Sequence, residues 1–237
     1  MTSTKAKRPA KSVLKPRTKA EQRAETLAQI MNAAEVLFSK YGLYGVTMRD
    51  VANKVGIHTS LMHYYFADKL ALFKAVFARR ANVTSERRIK ALAQYEKDCG
   101  GKPTVEGALH VFLDTDFDLY IAGDEGLRNY AAFCAQLSNT AEGAILFDEH
   151  FDPVVLQLIA LLQKALPNVP REDIFWAYSF VTGSLMHALA RSGRIDRLSD
   201  GLCKSDDFVA IKARMADFMA AGFLALKDKP RTRKTGR

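Results

Sequence analysis

From Glu21 to about Leu226 the apolar residues of this chain recur at the three-to-four-residue spacing of α-helices. No run alternates with period two for long enough to make a strand. That regularity restricts the chain to an all-α fold. Leu27, Ile30, Met31, Ala34, Leu37 and Phe38 share one helical face, and Tyr41-Gly42 ends the segment with a glycine stop. A second, short helix is expected from Thr47, a good N-cap residue, to Val55, with Val51, Ala52 and Val55 inward and Gly56 as its stop. A third is expected at about 59–66. Asp68 then caps a longer helix whose Leu72, Phe73, Val76 and Phe77 form a stripe, continuing towards Cys99 until Gly100-Gly101-Lys102-Pro103 breaks it. Beyond Thr104, breaks at Gly123-Asp124, Pro167–Pro170 and Ser199–Gly201 separate helices of about 104–122, 125–140, 149–166, 171–192 and 205–226. The expectation is about nine helices, an N-terminal three-helix domain followed by a larger helical bundle.

The formal net charge of +9 is unevenly spread. Residues 1–20 hold seven basic residues and no acidic one, and residues 227–237 hold six basic residues against Asp228. Between them, 21–80 carries eight basic and five acidic groups, whereas 81–226 carries fourteen basic and twenty acidic. The N-terminal third suits a polyanion and the rest does not. Both ends mix Lys and Arg with Pro, Thr, Ser and Ala, which reads as basic disordered tails over 1–20 and 227–237. The alternative for the first tail is an arm that adds phosphate or minor-groove contacts.

Other classes fall away on composition. No apolar stretch approaches the ~18–20 residues of a membrane helix, and the basic first twenty residues are not expected to be a secretory signal. Cys99, Cys134 and Cys203 are widely spaced and form neither a disulfide framework nor a CxxC pair, so a reducing cytoplasm is expected.

The stretch TMRDVANKVGIHTSLMHYYFADK, 47–69, has two short helices around a glycine-containing turn, the helix-turn-helix arrangement. Ala52 is small where crossing helices approach, and Ile57, Met62 and Phe66 can anchor the second helix inward. His58, Thr59, Ser60, His63 and Tyr64 then form a polar outer face with the chemistry of a major-groove reader. Lys69 opens the next helix, where a cation joins backbone amides that attract phosphate. Two aromatics here, Tyr64 and Tyr65, could be core instead, but one face of so short a helix is already taken by Met62 and Phe66. His58 and His63, five residues apart, point away from one another and lack the further ligands a metal needs.

On these residues, 27–77 resembles the DNA-binding domain of the TetR family of bacterial transcriptional regulators: LFSKYG closing the first helix, TMRDVANKVG, the aromatic-rich third helix ending in Phe66, then Asp68-Lys69 and Leu72-Phe73. The resemblance implies a DNA-binding domain at 21–80 and a helical effector-binding and dimerisation domain at 81–226. It implies near-base roles for Arg49, His58, Thr59, Ser60 and His63, and phosphate contacts from Thr47, Tyr64, Tyr65 and Lys69. His63 departs from the family's usual Tyr, His58 from its frequent Ser or other short cap, and Leu61 from its Ser or Thr. The implied partners are double-stranded DNA bearing a pseudo-palindromic operator, a second copy of the chain, and a small apolar or amphipathic effector, fatty-acyl in some members. The effector would release a repressor from its operator.

In the C-terminal region the candidate pocket residues are Phe112, Phe117, Tyr120, Tyr130, Phe133 and Trp176. His110, Asn129, Gln136, Tyr178 and His187 are the polar groups able to orient a ligand. Core packing is the ordinary alternative for each. Candidate dimer residues are Phe180, Gly183, Ser184 and Ala188 on 171–192, and Met215, Phe218, Met219 and Gly222 on 205–226. A buried core helix would read the same way.

An enzyme is not expected, nor any metal or cofactor. HExxH, the di-iron ExxH pair, GxxxxGK[ST] and GxSxG are all missing from the sequence. Asp148, Glu149, His150 and Asp152 form a local acidic group with a histidine, read as a charged helix start. An effector-independent architectural DNA-binding protein remains the rival to a regulator, with a small all-α ligand- or metal-binding enzyme behind it.

Overall fold

The computed structural model describes residues 18–123 and 125–228. Most of both basic tails, 1–17 and 229–237, lies outside the described residues, and so does the expectation that they are disordered. Among the described residues there are ten α-helices and no strand: α1 (Lys19–Tyr41), α2 (Met48–Val55), α3 (Thr59–Tyr65), α4 (Lys69–Asp98), α5 (Val105–Ala122), α6 (Glu125–Leu137), α7 (Ala141–Ala165), α8 (Arg171–Leu189), α9 (Arg194–Leu198) and α10 (Phe208–Ala225), closed by a 3₁₀ turn at Leu226–Asp228.

Local chemistry accounts for most boundaries. Thr18 and Glu21 form a reciprocal capping box that starts α1 at Lys19, inside the stretch expected to be tail. Gly56 ends α2 in the left-handed region at φ 79°, where a side chain is disfavoured. Several boundaries differ from expectation: α6 ends at Leu137 and α10 starts at Phe208, each three residues inside the expected limit. Thr140 accepts a hydrogen bond from the Gly143 amide and starts α7 at Ala141, eight residues before the expected start. Asp148 and Glu149 therefore sit inside α7 and do not open it. Pro153 is carried within the same helix. The five-residue α9 fills what was read as a connection, and α8 ends at Leu189.

Two cores result. The first joins α1–α4 around Ile30, Phe38, Val51, Met62, Phe73 and Phe77, and it also takes in Tyr130, Phe133 and Leu137 from α6. Phe133 lies 4.8 Å from Phe73, ring centre to ring centre, edge to face, and stacks on Phe38 at 6.1 Å. The second core holds α5, α7, α8 and α10, with Leu113, Phe117, Leu158, Val181 and Phe223 among its buried side chains. Polar ties reinforce the junction between them. Gln136 of α6 donates to the Ser39 carbonyl at 2.6 Å, and the Tyr44 hydroxyl donates to Glu142 of α7 at 2.8 Å. Glu35, buried in α1, pairs with Arg79 and Arg80 of α4. No helix among the described residues is long and apolar enough to cross a membrane.

Candidate nucleic-acid interface and effector cavity

Two caps fix the helix-turn-helix. Thr47 Oγ1 accepts from the Asp50 amide at 3.2 Å, while the Asp50 carboxylate accepts the Thr47 amide at 2.9 Å and hydroxyl at 2.7 Å. The hydroxyl bond, then the amide bond, holds the Asp50 carboxyl below its ordinary range. At α3 the cap is a histidine: His58 Nδ1 accepts from the Ser60 amide at 3.3 Å and lies 2.8 Å from Ser60 Oγ. Met62 is wholly buried, and Ile57 and Phe66 pack against the first core. The opposite flank leaves Arg49, His58, Ser60, His63 and Tyr64 exposed, with Thr59 half-buried. With its side chains an α-helix such as α3 is about 10–12 Å across, a fit to the ~12 Å width of a major groove.

The two tyrosines part company. Tyr64 is exposed beneath the Arg23 guanidinium, which stands 5.3 Å from its ring centre. Tyr65 is half-buried, packs on the core and donates its hydroxyl to the Arg23 carbonyl at 3.4 Å, so it ties α3 to α1. Lys69, half-buried, is the first residue of α4, directly after the Asp68 cap.

A cavity of about 250 Å³ opens between α4, α5, α6, α7 and α8. Of the expected pocket residues it brings together Phe112, Tyr120, Tyr130 and Tyr178. The others lie elsewhere. Phe117 packs on Phe208 in the second core, and Phe133 belongs to the first. His110 bridges Asp114 at 3.1 Å and Asp217 of α10 at 2.9 Å, and Gln136 is used on Ser39. Asn129 is half-buried away from the cavity lining. Trp176 faces an outer groove, and His187 a separate one between α6 and α8.

The cavity wall contains residues not singled out from sequence. Arg88 Nη2 stands 2.5 Å from Asp116 Oδ2, with both side chains buried. Arg88 Nε donates to the Phe112 carbonyl at 3.1 Å, and its guanidinium lies 4.3 Å over the Phe112 ring. The Tyr120 hydroxyl donates to Asp116 Oδ2 at 3.3 Å. Burial pushes the Asp116 carboxyl up, against the pull of Arg88. Burial also pushes the Cys134 thiol up to about 12, leaving an inert sulfur in the wall. A sequence signal for the ion pair did exist. Arg88 interrupts the stripe Phe77, Ala81, Ser85, Leu92, and Asp116 the stripe Leu109, Phe112, Leu113, Tyr120, each a charge on an otherwise buried helical face. Asp148 and Asp152 also line the cavity, whereas His150 is turned to Asn82 at 2.9 Å. Among the described residues no group of His, Cys, Asp and Glu is arranged to hold a metal ion.

On the outside, α8 and α10 form an apolar groove of about 570 Å³. Phe180, Ser184, Phe218, Met219 and Gly222 line it beside Trp176. Gly183 faces the α6–α8 groove instead, Met215 packs on the second core, and Ala188 is half-buried outside both grooves.

A capped helix-turn-helix with a polar outer flank, joined through α4 and α6 to a helical unit with an internal cavity, defines a DNA-binding regulator. The comparisons agree. The model of the tetR family of bacterial regulatory proteins matches residues 30–76, and the tetracyclin repressor-like C-terminal domain matches residues 110–222. The chain belongs to the tetR family of transcriptional regulators. It is 20% identical over 166 residues to the HTH-type transcriptional regulator BetI of Escherichia coli O17:K52:H18 (strain UMN026 / ExPEC), covering 70% of this chain and 83% of BetI. Among solved structures, a tetR-family regulator from Shewanella sp. PV-4 superposes with a TM-score of 0.58 at 13% identity, covering 84% of this chain and 95% of that one. FadR from Bacillus subtilis, solved in complex with stearoyl-CoA, superposes with a TM-score of 0.54 at 17% identity, covering 82% of this chain and 98% of FadR. At these identities the two structures share the fold.

Proposed function

We propose that the protein is a homodimeric repressor that binds a pseudo-palindromic operator and is released by a small amphipathic effector. Each α3 would lie in a major groove, with Arg49, His58, Thr59, Ser60 and His63 at or near base edges and Thr47, Tyr64 and Lys69 on phosphates. Tyr65, tethered to α1, would reach a phosphate only by giving up its bond to Arg23. The dimer would form across the α8–α10 groove, and the effector would enter the α4–α8 cavity. FadR, held with stearoyl-CoA in its structure, supports an effector with an apolar body. DNA of a bacterium lies in its cytoplasm, which is where the protein would act.

The observation that carries the reading is the division of α3: Met62 wholly buried, with His58, Ser60, His63 and Tyr64 outside. Selection from a pool of random duplexes tests it. Enrichment of a palindrome is expected, with His63→Ala changing the enriched bases and Lys69→Ala weakening all sequences alike and lowering the salt slope by about one. A flat selection would instead favour an architectural role.

A further inference from the structure

Resting on the reading of the α4–α8 cavity as the effector site, we infer that it selects a compact organic cation, a primary amine with an aryl or alkyl body, over a neutral or anionic amphipath. The charges lining the cavity are one cation, Arg88, and three carboxylates, Asp116, Asp148 and Asp152. Arg88 Nη2 stands against Asp116 Oδ2 in an ion pair without an aligned hydrogen bond, its Nε is used on the Phe112 carbonyl, and its guanidinium lies over the Phe112 ring. An anionic ligand would meet the surplus of carboxylates while competing with Asp116 for that one guanidinium.

Asp116 supplies the second observation. Both of its partners, Arg88 and Tyr120, are on Oδ2, while Oδ1 is buried with no hydrogen-bond donor. A buried carboxylate oxygen without a donor is costly, and an ammonium N–H reaching it removes that cost. Asp148 and Asp152 are four residues apart on α7, hence on one helical face, and both are exposed at the solvent side of the cavity. They hold a positive charge without themselves being desolvated. The rings of Tyr120, Tyr130, Phe147, Phe151 and Tyr178 line the cavity, an apolar wall for the body of a ligand whose π-systems attract a cation. A volume of about 250 Å³ is at the small end for ligand pockets, which favours a compact body over a long chain.

Calorimetric titration of the full-length protein with 3-phenylpropylammonium, 3-phenyl-1-propanol and 3-phenylpropionate separates the charges on one carbon skeleton. The ammonium is expected to bind about tenfold or more tighter than the alcohol, with the carboxylate weakest. Asp148→Asn with Asp152→Asn, both exposed and safe for folding, should weaken the ammonium about tenfold and leave the alcohol unchanged. Val155→Trp, or Thr182→Phe should the first variant lose its helical signal, should abolish binding by filling the cavity. Preference for the alcohol or carboxylate that the plug abolishes overturns the cation and keeps the cavity. Binding that the plug leaves untouched overturns the cavity as the effector site. Failure of the ammonium to bind overturns the inference.

Discussion

Tyr64 on α3 and Phe180 on α8 expose nearly the same fraction of their surface, 63% and 67%, in surroundings that differ in kind. Tyr64 carries a hydroxyl, lies under Arg23 and meets Tyr65 edge to face at 5.3 Å, on a flank otherwise made of His58, Ser60 and His63. Phe180 faces a groove with Trp176, Met219 and Phe218, itself 75% exposed. Water and phosphate can satisfy the first surface. Only apolar contact can satisfy the second, which is why the proposed dimer is placed there. Exposure alone does not distinguish a nucleic-acid face from a protein face; the atoms at the tips of the side chains do.

The two regions meet at α6, which supplies side chains to both cores. Phe133→Ala removes a ring that α6 lends to the core of α1–α4, so it should cost about 3–5 kcal/mol and unfold the DNA-binding unit together with the rest. A denaturant titration followed by helical signal and by DNA binding should give one shared transition. Two separate transitions would mean that the regions are independent. Next in size, Phe180→Asp with Phe218→Asp should raise the dimer dissociation constant about 100-fold or more while preserving helical content, as sedimentation and circular dichroism would record. An unchanged dimer would move the interface off the α8–α10 groove.

Smaller effects refine the picture. Thr47→Ala deletes one side of the α2 capping box and should cost about 1 kcal/mol in thermal or chemical unfolding, with DNA affinity falling beside it. The weakest expected effect is a pH dependence at the α5–α10 contact. The hydrogen bond to Asp217 raises the His110 pKa, partial burial opposes it, and Asp114 adds to the rise. Because the folded state favours the imidazolium, the stabilisation is complete below about pH 6.5, the ordinary histidine value, and is lost as pH rises through the raised folded value. Melting temperature should therefore drop between about pH 6 and pH 8 in the wild type and less in His110→Gln. Equal slopes would assign the contact no role in stability.

The helix-turn-helix was legible because its signals are local. Thr47 three residues before Asp50, Gly56 at a left-handed stop, and Met62 and Phe66 one turn apart all act within a few residues of chain. The His58 cap and the tether of Tyr65 were less so. The first uses an unusual capping side chain, and the second depends on a carbonyl in α1. In the C-terminal region the aromatics were visible but their destinations were not. Tyr120 and Phe117 are three residues apart on α5 and both meet Phe208, yet of the two Tyr120 alone also lines the cavity.

Sequence alone determined that the chain is helical, where most helices begin and end, and which flank of α3 stays in water. Those properties follow from backbone hydrogen bonding and from the 3.6-residue period, which act over one or two turns. Only the tertiary structure decided that α6 completes the first core, that Arg88 and Asp116 meet across two helices at 2.5 Å, and that Trp176 faces outward instead of into the cavity. Such outcomes depend on how one helix rotates and slides against another. Helix packing settles that for the whole molecule at once, through contacts between residues far apart in the chain.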